Sequence, residues 1–202
     1  MMTGGICIFG GSFDPVHKGH KKLASFVAER LKLNKMLIIP TAMSPFKKSS
    51  GATEEQRLEM CRKAFPEAIF EVSDIEISRG GKSYTIDTVE SVKRLYPDEK
   101  LYLLIGSDQL LSFDRWYRFG DIMSAVTLVA VSREKAVENI ELEKFADEKL
   151  RPYGECIILD FEAFEISSTL LREGLYEGKD MSDFIDEGVA AYIQREGLYK
   201  DE

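Results

Sequence analysis

Histidine is nearly absent from this 202-residue chain: there are two, His17 and His20, three positions apart. Cysteine is scarce as well. Cys7, Cys61 and Cys156 are odd in number and far apart, and no CxxC or CxxH spacing occurs. Neither a disulfide framework nor a zinc site is supported, and Cys7 and Cys156, inside apolar runs, read as small buried hydrophobes. Long apolar runs are missing too. The first, Ile6–Phe9, has four residues, too few for a leader or a membrane span, so a cytoplasmic protein without membrane association is expected. Excess positive charge is also lacking: the net charge of −8 argues against a general nucleic-acid binder and leaves a nucleotide site open. Neither GxxxxGK[ST] nor GxGxxG occurs. No serine, histidine and aspartate fall at triad spacing, and no cysteine lies near a histidine except Cys7, inside a strand.

The charge that is present is unevenly placed. Residues 1–50 carry +6 and the remaining 152 carry −14. The positive end surrounds one stretch, Gly10-Gly11-Ser12-Phe13-Asp14-Pro15-Val16-His17-Lys18-Gly19-His20. An apolar strand precedes it and a segment of helical periodicity follows (Leu23, Val27, Leu31), an arrangement that aims backbone N–H groups at an anion. Lys21-Lys22 reads equally as a solvated basic face, and His20, close to the apolar stripe, could serve packing alone.

Further along, Met36–Pro40 reads as a second buried strand, and Thr41–Ala52 as a loop carrying Pro45 and Lys47-Lys48. Thr53-Glu54-Glu55-Gln56 has capping-box form and opens a helix. Ile69–Ile77 contains strand-like material, and Ser78–Ser83 reads as a basic loop. Thr85 is the expected N-cap of a helix bearing Ile86, Val89 and Val92. Leu101–Ile105 is a strand ending in Gly106-Ser107-Asp108, where Asp108 could cap the next helix. Val126–Val131 and Cys156–Leu159 are strands, separated by charged helical material. Ile166-Ser167-Ser168-Thr169-Leu170-Leu171-Arg172 has the form of a hydroxyl-rich helix start, and a last helix over about 184–195 is closed by Gly197.

Strands alternating with helices predict one α/β domain over 1–202. It would be Rossmann-like and doubly wound, with a mostly parallel sheet, helices on both faces and a small C-terminal helical region. Ligands of such sheets bind beyond the strand C-termini at the switch point, where the Gly10–His20 turn, the Thr41–Lys48 loop and the Gly106–Asp108 turn should converge. Two histidines, Lys47, Arg172 and several helix starts can hold several phosphate oxygens at once. With no nucleophile–base pair, the expected chemistry is direct phosphoryl or nucleotidyl transfer by positioning and charge stabilisation.

The Gly10–His20 stretch together with Ile166-Ser167-Ser168-Thr169-x-x-Arg172 resembles the HxGH nucleotidyltransferase superfamily. Ile38-Ile39-Pro40, Ser83-Tyr84-Thr85, Ile105–Asp108, Phe113-x-x-Trp116-Tyr117 and the ending Tyr192-Ile193 to Gly197-Leu198-Tyr199 narrow it. Over about Ile6 to Tyr199 the chain is similar to bacterial nicotinate-nucleotide adenylyltransferases. The resemblance implies ATP and nicotinate mononucleotide as substrates, Mg²⁺ with the ATP, and deamido-NAD and pyrophosphate as products. It implies catalytic roles for His17, His20, Lys47 and Arg172. On the ATP side it places Gly10, Gly11, Ser12, Phe13, His17, His20, Gly106, Asp108, Arg133, Ile166, Ser167, Ser168 and Arg172. On the nicotinate-nucleotide side it places Ser12, Lys47, Tyr84, Thr85, Trp116 and Tyr117. No residue is implied as a direct metal ligand. The family's Pro-Pro-His-Lys loop reads Ser44-Pro45-Phe46-Lys47 here, so Phe46 replaces a histidine and Lys48 is the available substitute.

Without the family, a lone Trp116 would be packing, Thr85 a plain cap and Arg172 a surface arginine. Rival readings are a phosphopantetheine adenylyltransferase, an enzyme preferring nicotinamide mononucleotide, and a non-catalytic nucleotide sensor. A class I aminoacyl-tRNA synthetase fragment is disfavoured by the missing KMSKS-like segment and the acidic charge. Oligomeric state is not encoded in any motif recognised here.

Overall fold

The computed structural model describes residues 4–42, 51–132, 136–162 and 166–200, with backbone alone for 136–139. Its elements in chain order are β1 (Ile6–Gly11), α1 (Lys18–Leu31), β2 (Lys35–Pro40), α2 (Glu54–Ala64), β3 (Phe70–Val72), α3 (Ile75–Arg79), α4 (Thr85–Leu95), β4 (Leu101–Gly106), α5 (Ser107–Leu110), α6 (Phe119–Ala125), β5 (Thr127–Ser132), α7 (Ala136–Phe145), β6 (Cys156–Asp160), α8 (Ser168–Tyr176) and α9 (Glu187–Glu196). A single 3₁₀ turn, Phe113–Arg115, precedes α6, and a π turn, Ala146–Leu150, extends α7.

The six strands form one sheet in the order β3-β2-β1-β4-β5-β6, every pair parallel. The expected mostly parallel sheet is thus wholly parallel among the described strands. β1, β2, β4 and β5 are mainly apolar runs because both of their faces are covered. In β1, Cys7 and Phe9 enter one core while Ile6 and Ile8 enter the other. β2 divides likewise, with Met36 and Ile38 on one side and Leu37 and Ile39 on the other. The first core is closed by α1, α2, α8 and α9, and the second by α4, α6 and α7. Strand order reverses between β1 and β4, so the crevice lies beyond Gly11 and Gly106.

Two expectations need correction. The strand expected within Ile69–Ile77 is β3, three residues long, but the loop expected from Ser78 begins as helix, since α3 takes Ile75-Glu76-Ile77-Ser78-Arg79. Within α3 the buried residue is Glu76, whose Oε1 accepts the Thr88 hydroxyl at 2.6 Å. Thr85 is not an N-cap. Tyr84 occupies that position, Thr85 is the first helical residue, and no side-chain cap bond forms at this helix start among the described residues. The capping box at α2 is present: Thr53 Oγ1 accepts Gln56 N–H at 3.2 Å, and Gln56 Oε1 accepts Thr53 N–H at 2.9 Å.

All three cysteines are buried thiols. Burial raises each thiol above its ordinary range, Cys156 to about 11 and Cys7 and Cys61 further, so little thiolate exists to react. Iodoacetamide at pH 8 should leave the native chain unmodified and add three groups after urea unfolding. Rapid labelling of any cysteine in the native chain would contradict the placement.

Candidate active site

β1 ends on glycine, and the turn beyond it is tightly specified. Phe13 is fully buried with φ +46°, left-handed backbone in a bulky residue, and the Asp14–Pro15 peptide is cis. His17 then caps α1. Its Nδ1 accepts His20 N–H at 3.3 Å, while His20 Nδ1 accepts His17 N–H at 3.3 Å, a reciprocal capping box made by two imidazoles. The rings stack with centroids 3.7 Å apart. With both Nδ1 atoms accepting, each neutral ring carries its proton on Nε2. Gly19 is required between them: a Cβ there would lie 2.9 Å from His17 Nδ1. His17 is buried and His20 half-buried against Phe13, at 5.0 Å between centroids. The packing role considered for His20 therefore coexists with a polar one.

The far end of the chain closes on this turn. Ser167 caps α8, accepting Leu170 N–H at 3.2 Å. Ser168 donates to the Pro15 carbonyl at 3.0 Å, and Arg172 donates to the Asp14 carbonyl. Ile166 is buried and meets the Gly19 position. The two sequence motifs, about 150 residues apart, thus form one cradle, with helix starts α1 and α8 side by side. Across the switch point, Asp108 folds over Gly106, where a Cβ would lie 2.5 Å from its Oδ1.

The second cluster sits at the same sheet edge. Tyr84 and Tyr117 rings meet at 5.0 Å, joining the Ser83–Thr85 and Trp116–Tyr117 segments. Arg118 reaches Glu90 of α4 at 3.0 Å and reinforces that join. Trp116 is half-buried on Phe113, centroids 4.8 Å apart, with part of its indole left outside the core. Lys47, Phe46, Lys48 and Arg133 lie outside the described residues.

Three groups at the site were not assigned roles by sequence reasoning. Arg57 of α2 is 5% exposed and donates to the carbonyls of Ser12 and Thr41, both at 2.7 Å, and of Ala42 at 3.3 Å. The carboxylate of Asp14 is buried and accepts the Tyr199 hydroxyl through Oδ1. Tyr199 itself is buried, in left-handed backbone, next to Gly51. A signal for Arg57 existed: with Met60, Cys61 and Ala64 it shares the buried stripe of α2, and a cation on a buried stripe has a polar errand.

A doubly wound parallel sheet with imidazole, guanidinium and helix-start donors at its switch point defines a nucleotide-handling α/β protein. The cytidylyltransferase-like family model matches residues 8–174, and the chain belongs to that family. A probable nicotinate-nucleotide adenylyltransferase of Carboxydothermus hydrogenoformans is 38% identical over 198 residues, covering 96% of this chain and 98% of that one. One of the same name from Gemmatimonas aurantiaca is 37% identical, covering 96% and 92%. The fold is shared with the Plasmodium falciparum nicotinic acid mononucleotide adenylyltransferase complexed with NaAD, at TM-score 0.78 and 18% identity over 98% of both chains. No described helix is long and apolar enough to cross a membrane.

Proposed function

We propose that the chain transfers the adenylyl group of ATP to nicotinate mononucleotide, giving deamido-NAD and pyrophosphate. The observation that carries this is the closure of the Ser167–Arg172 helix start onto the Asp14–Pro15 turn that leads into His17 and His20, supported by near full-length similarity to proteins of that name. The nucleotide's phosphate oxygen attacks the α-phosphorus of ATP in line. An O–P bond forms as the bond from the α-phosphorus to the bridging oxygen breaks, and pyrophosphate leaves. No covalent enzyme intermediate is needed.

In this reading the Nε2–H groups of His17 and His20 meet charge developing on the phosphoryl oxygens. Arg172, Ser167, Ser168 and the α8 start hold the β- and γ-phosphates. Gly10, Gly11, Ser12 and Phe13 supply backbone beside the triphosphate, Gly106 and Asp108 face the ATP sugar, and Lys47 and Arg133 add charge. On the acceptor side Trp116 stacks on the electron-poor pyridine ring. The start of α4 at Tyr84–Thr85, without a side-chain cap, and the backbone of Tyr117 offer N–H groups to the nicotinate carboxylate.

Among the described residues no group of three or more His, Cys, Asp or Glu could cage a metal, and Asp14 is engaged by Tyr199 and Arg172. This donor set suits Mg²⁺ carried in on the ATP phosphates rather than a resident ion. When bound there, the ion neutralises phosphate charge.

Pyrophosphate release measured with ATP and each of three acceptors tests the assignment. Nicotinate mononucleotide should exceed both nicotinamide mononucleotide and phosphopantetheine in kcat/KM by at least ~10-fold, the scale of one satisfied charged contact. Equal or better turnover of either alternative would sink it.

A further inference from the structure

Tyr199 sits almost at the far end of the described chain from the catalytic turn, yet its hydroxyl donates to Oδ1 of Asp14 inside that turn. Both side chains are nearly sealed from solvent, at 3% and 1% exposure. Backbone on each side of the bond is unusual: Tyr199 has φ +56°, and Phe13, which precedes Asp14, has φ +46°. Left-handed backbone in non-glycine residues is strained and persists only where surrounding contacts impose it. Tyr199 is also wedged against the loop end and α8. A Cβ on Gly51 would lie 3.2 Å from its ring, and Tyr176 meets it edge-on at 6.5 Å.

The other oxygen of Asp14, Oδ2, makes no hydrogen bond among the described residues. It faces Arg172 Nη1 at 3.9 Å, while that same nitrogen donates to the Asp14 backbone carbonyl. Arg172 is therefore held at the margin of an ion pair rather than drawn into it. Two anions compete for this guanidinium: the buried carboxylate and, under the reading proposed above, the triphosphate. The Tyr199 hydroxyl satisfies the carboxylate from the other side and so weakens its claim. Arg57, a second arginine at this turn, is already committed to three carbonyls.

We infer that Tyr199 is a positioning residue for the ATP half of the site, acting through Asp14 to keep the Arg172 guanidinium available to phosphate. Burial, reinforced by the bond to Asp14, keeps the Tyr199 phenol far above its ordinary range. The hydroxyl is thus a donor at every working pH. Without it, the buried carboxylate loses the hydroxyl that donates to its Oδ1 and pulls Arg172 in, at the expense of ATP.

The test is Tyr199→Phe, read by calorimetric binding of α,β-methylene-ATP and by KM for both substrates. The Kd of the analogue and the KM for ATP should rise about tenfold, the scale of one hydrogen bond to a charged group. KM for nicotinate mononucleotide should change less than ~2-fold. In an Arg172→Ala background the same substitution should add less than ~2-fold to the analogue's Kd, as expected for residues acting as one unit. Equal change in both KM values, an unchanged Kd, or additive effects with Arg172→Ala would overturn the inference. Should Tyr199→Phe lack a cooperative melt, Asp14→Asn is the second probe. It removes the competing charge, so the analogue should bind within ~3-fold of the parent chain or more tightly, and a larger loss overturns the inference. If the parent chain fails to turn over nicotinate mononucleotide, the proposed reaction falls, while the analogue binding still tests Tyr199.

Discussion

Replacing His20 by alanine is expected to lower kcat at least ~10²-fold, the usual scale for losing one preorganised transition-state donor. The substitution removes two things at once. It deletes the Nε2–H group proposed to meet the phosphoryl oxygens and also the Nδ1 atom that accepts His17 N–H. Losing half of a reciprocal cap should cost about 1 kcal/mol, which near 200 residues corresponds to about 3 °C in Tm. His20→Gln separates the effects, because glutamine at the third helical position can still accept the cap N–H. Tm should return to within about 1 °C of the parent value while kcat stays depressed by ~10²-fold or more. Near-normal kcat in both variants would place His20 among residues that only pack. Recovery of kcat along with Tm in the glutamine variant would make the cap, not the donor, the functional element.

The sequence carried the sheet more fully than it carried the site. Strands β1, β2, β4 and β5 were legible because burial on both faces writes each as an unbroken apolar run, with helical periodicity between. α3 was not legible. Five residues are too few to show a 3.6-residue period, and Ile75-Glu76-Ile77 imitates the alternation of a strand while burying its carboxylate on Thr88. The start of α4 was misplaced by one residue because threonine has the chemistry of a cap, whereas the backbone turn puts Tyr84 at that position. At the site, the motif residues were recognisable by type and spacing, but the bonds that join them were not. Ser168 on Pro15, Arg172 on Asp14 and Tyr199 on Asp14 span more than 150 positions each. No local pattern encodes such pairings, since they depend on where α8 and the residues after α9 come to rest against β1. That is why Arg57 and Tyr199, which touch main chain and a buried carboxylate, escaped assignment.

Arg57→Leu is expected to have the largest effect on stability of any single substitution at the site, about 3 kcal/mol. The guanidinium is buried and bridges two segments, taking the Ser12 carbonyl beyond β1 through Nη1 and those of Thr41 and Ala42 beyond β2 through Nη2. Leucine matches part of its volume and satisfies none of those acceptors, leaving carbonyls that each cost about 1–3 kcal/mol when buried without a donor. Some will reach water as the turn relaxes, which brings the sum down to about 3 kcal/mol, or about 10 °C in Tm for a chain of this size. Lysine retains the charge but is a single point with three donors on one nitrogen, where the arginine fork spans two segments from two nitrogens. Arg57→Lys should therefore recover less than half of the lost Tm. Activity should fall in both variants even below their melting temperatures. The turn that carries Ser12 and leads to His17 is tied by this side chain to Thr41 and Ala42 just beyond β2, and ~1 Å of drift in a catalytic constellation costs about 10²-fold. Thermal melts of the three proteins, paired with pyrophosphate release at 20 °C, decide the matter. A leucine variant that melts within 2 °C of the parent would show that those carbonyls find other partners, and full recovery by lysine would remove the bidentate bridge from the explanation.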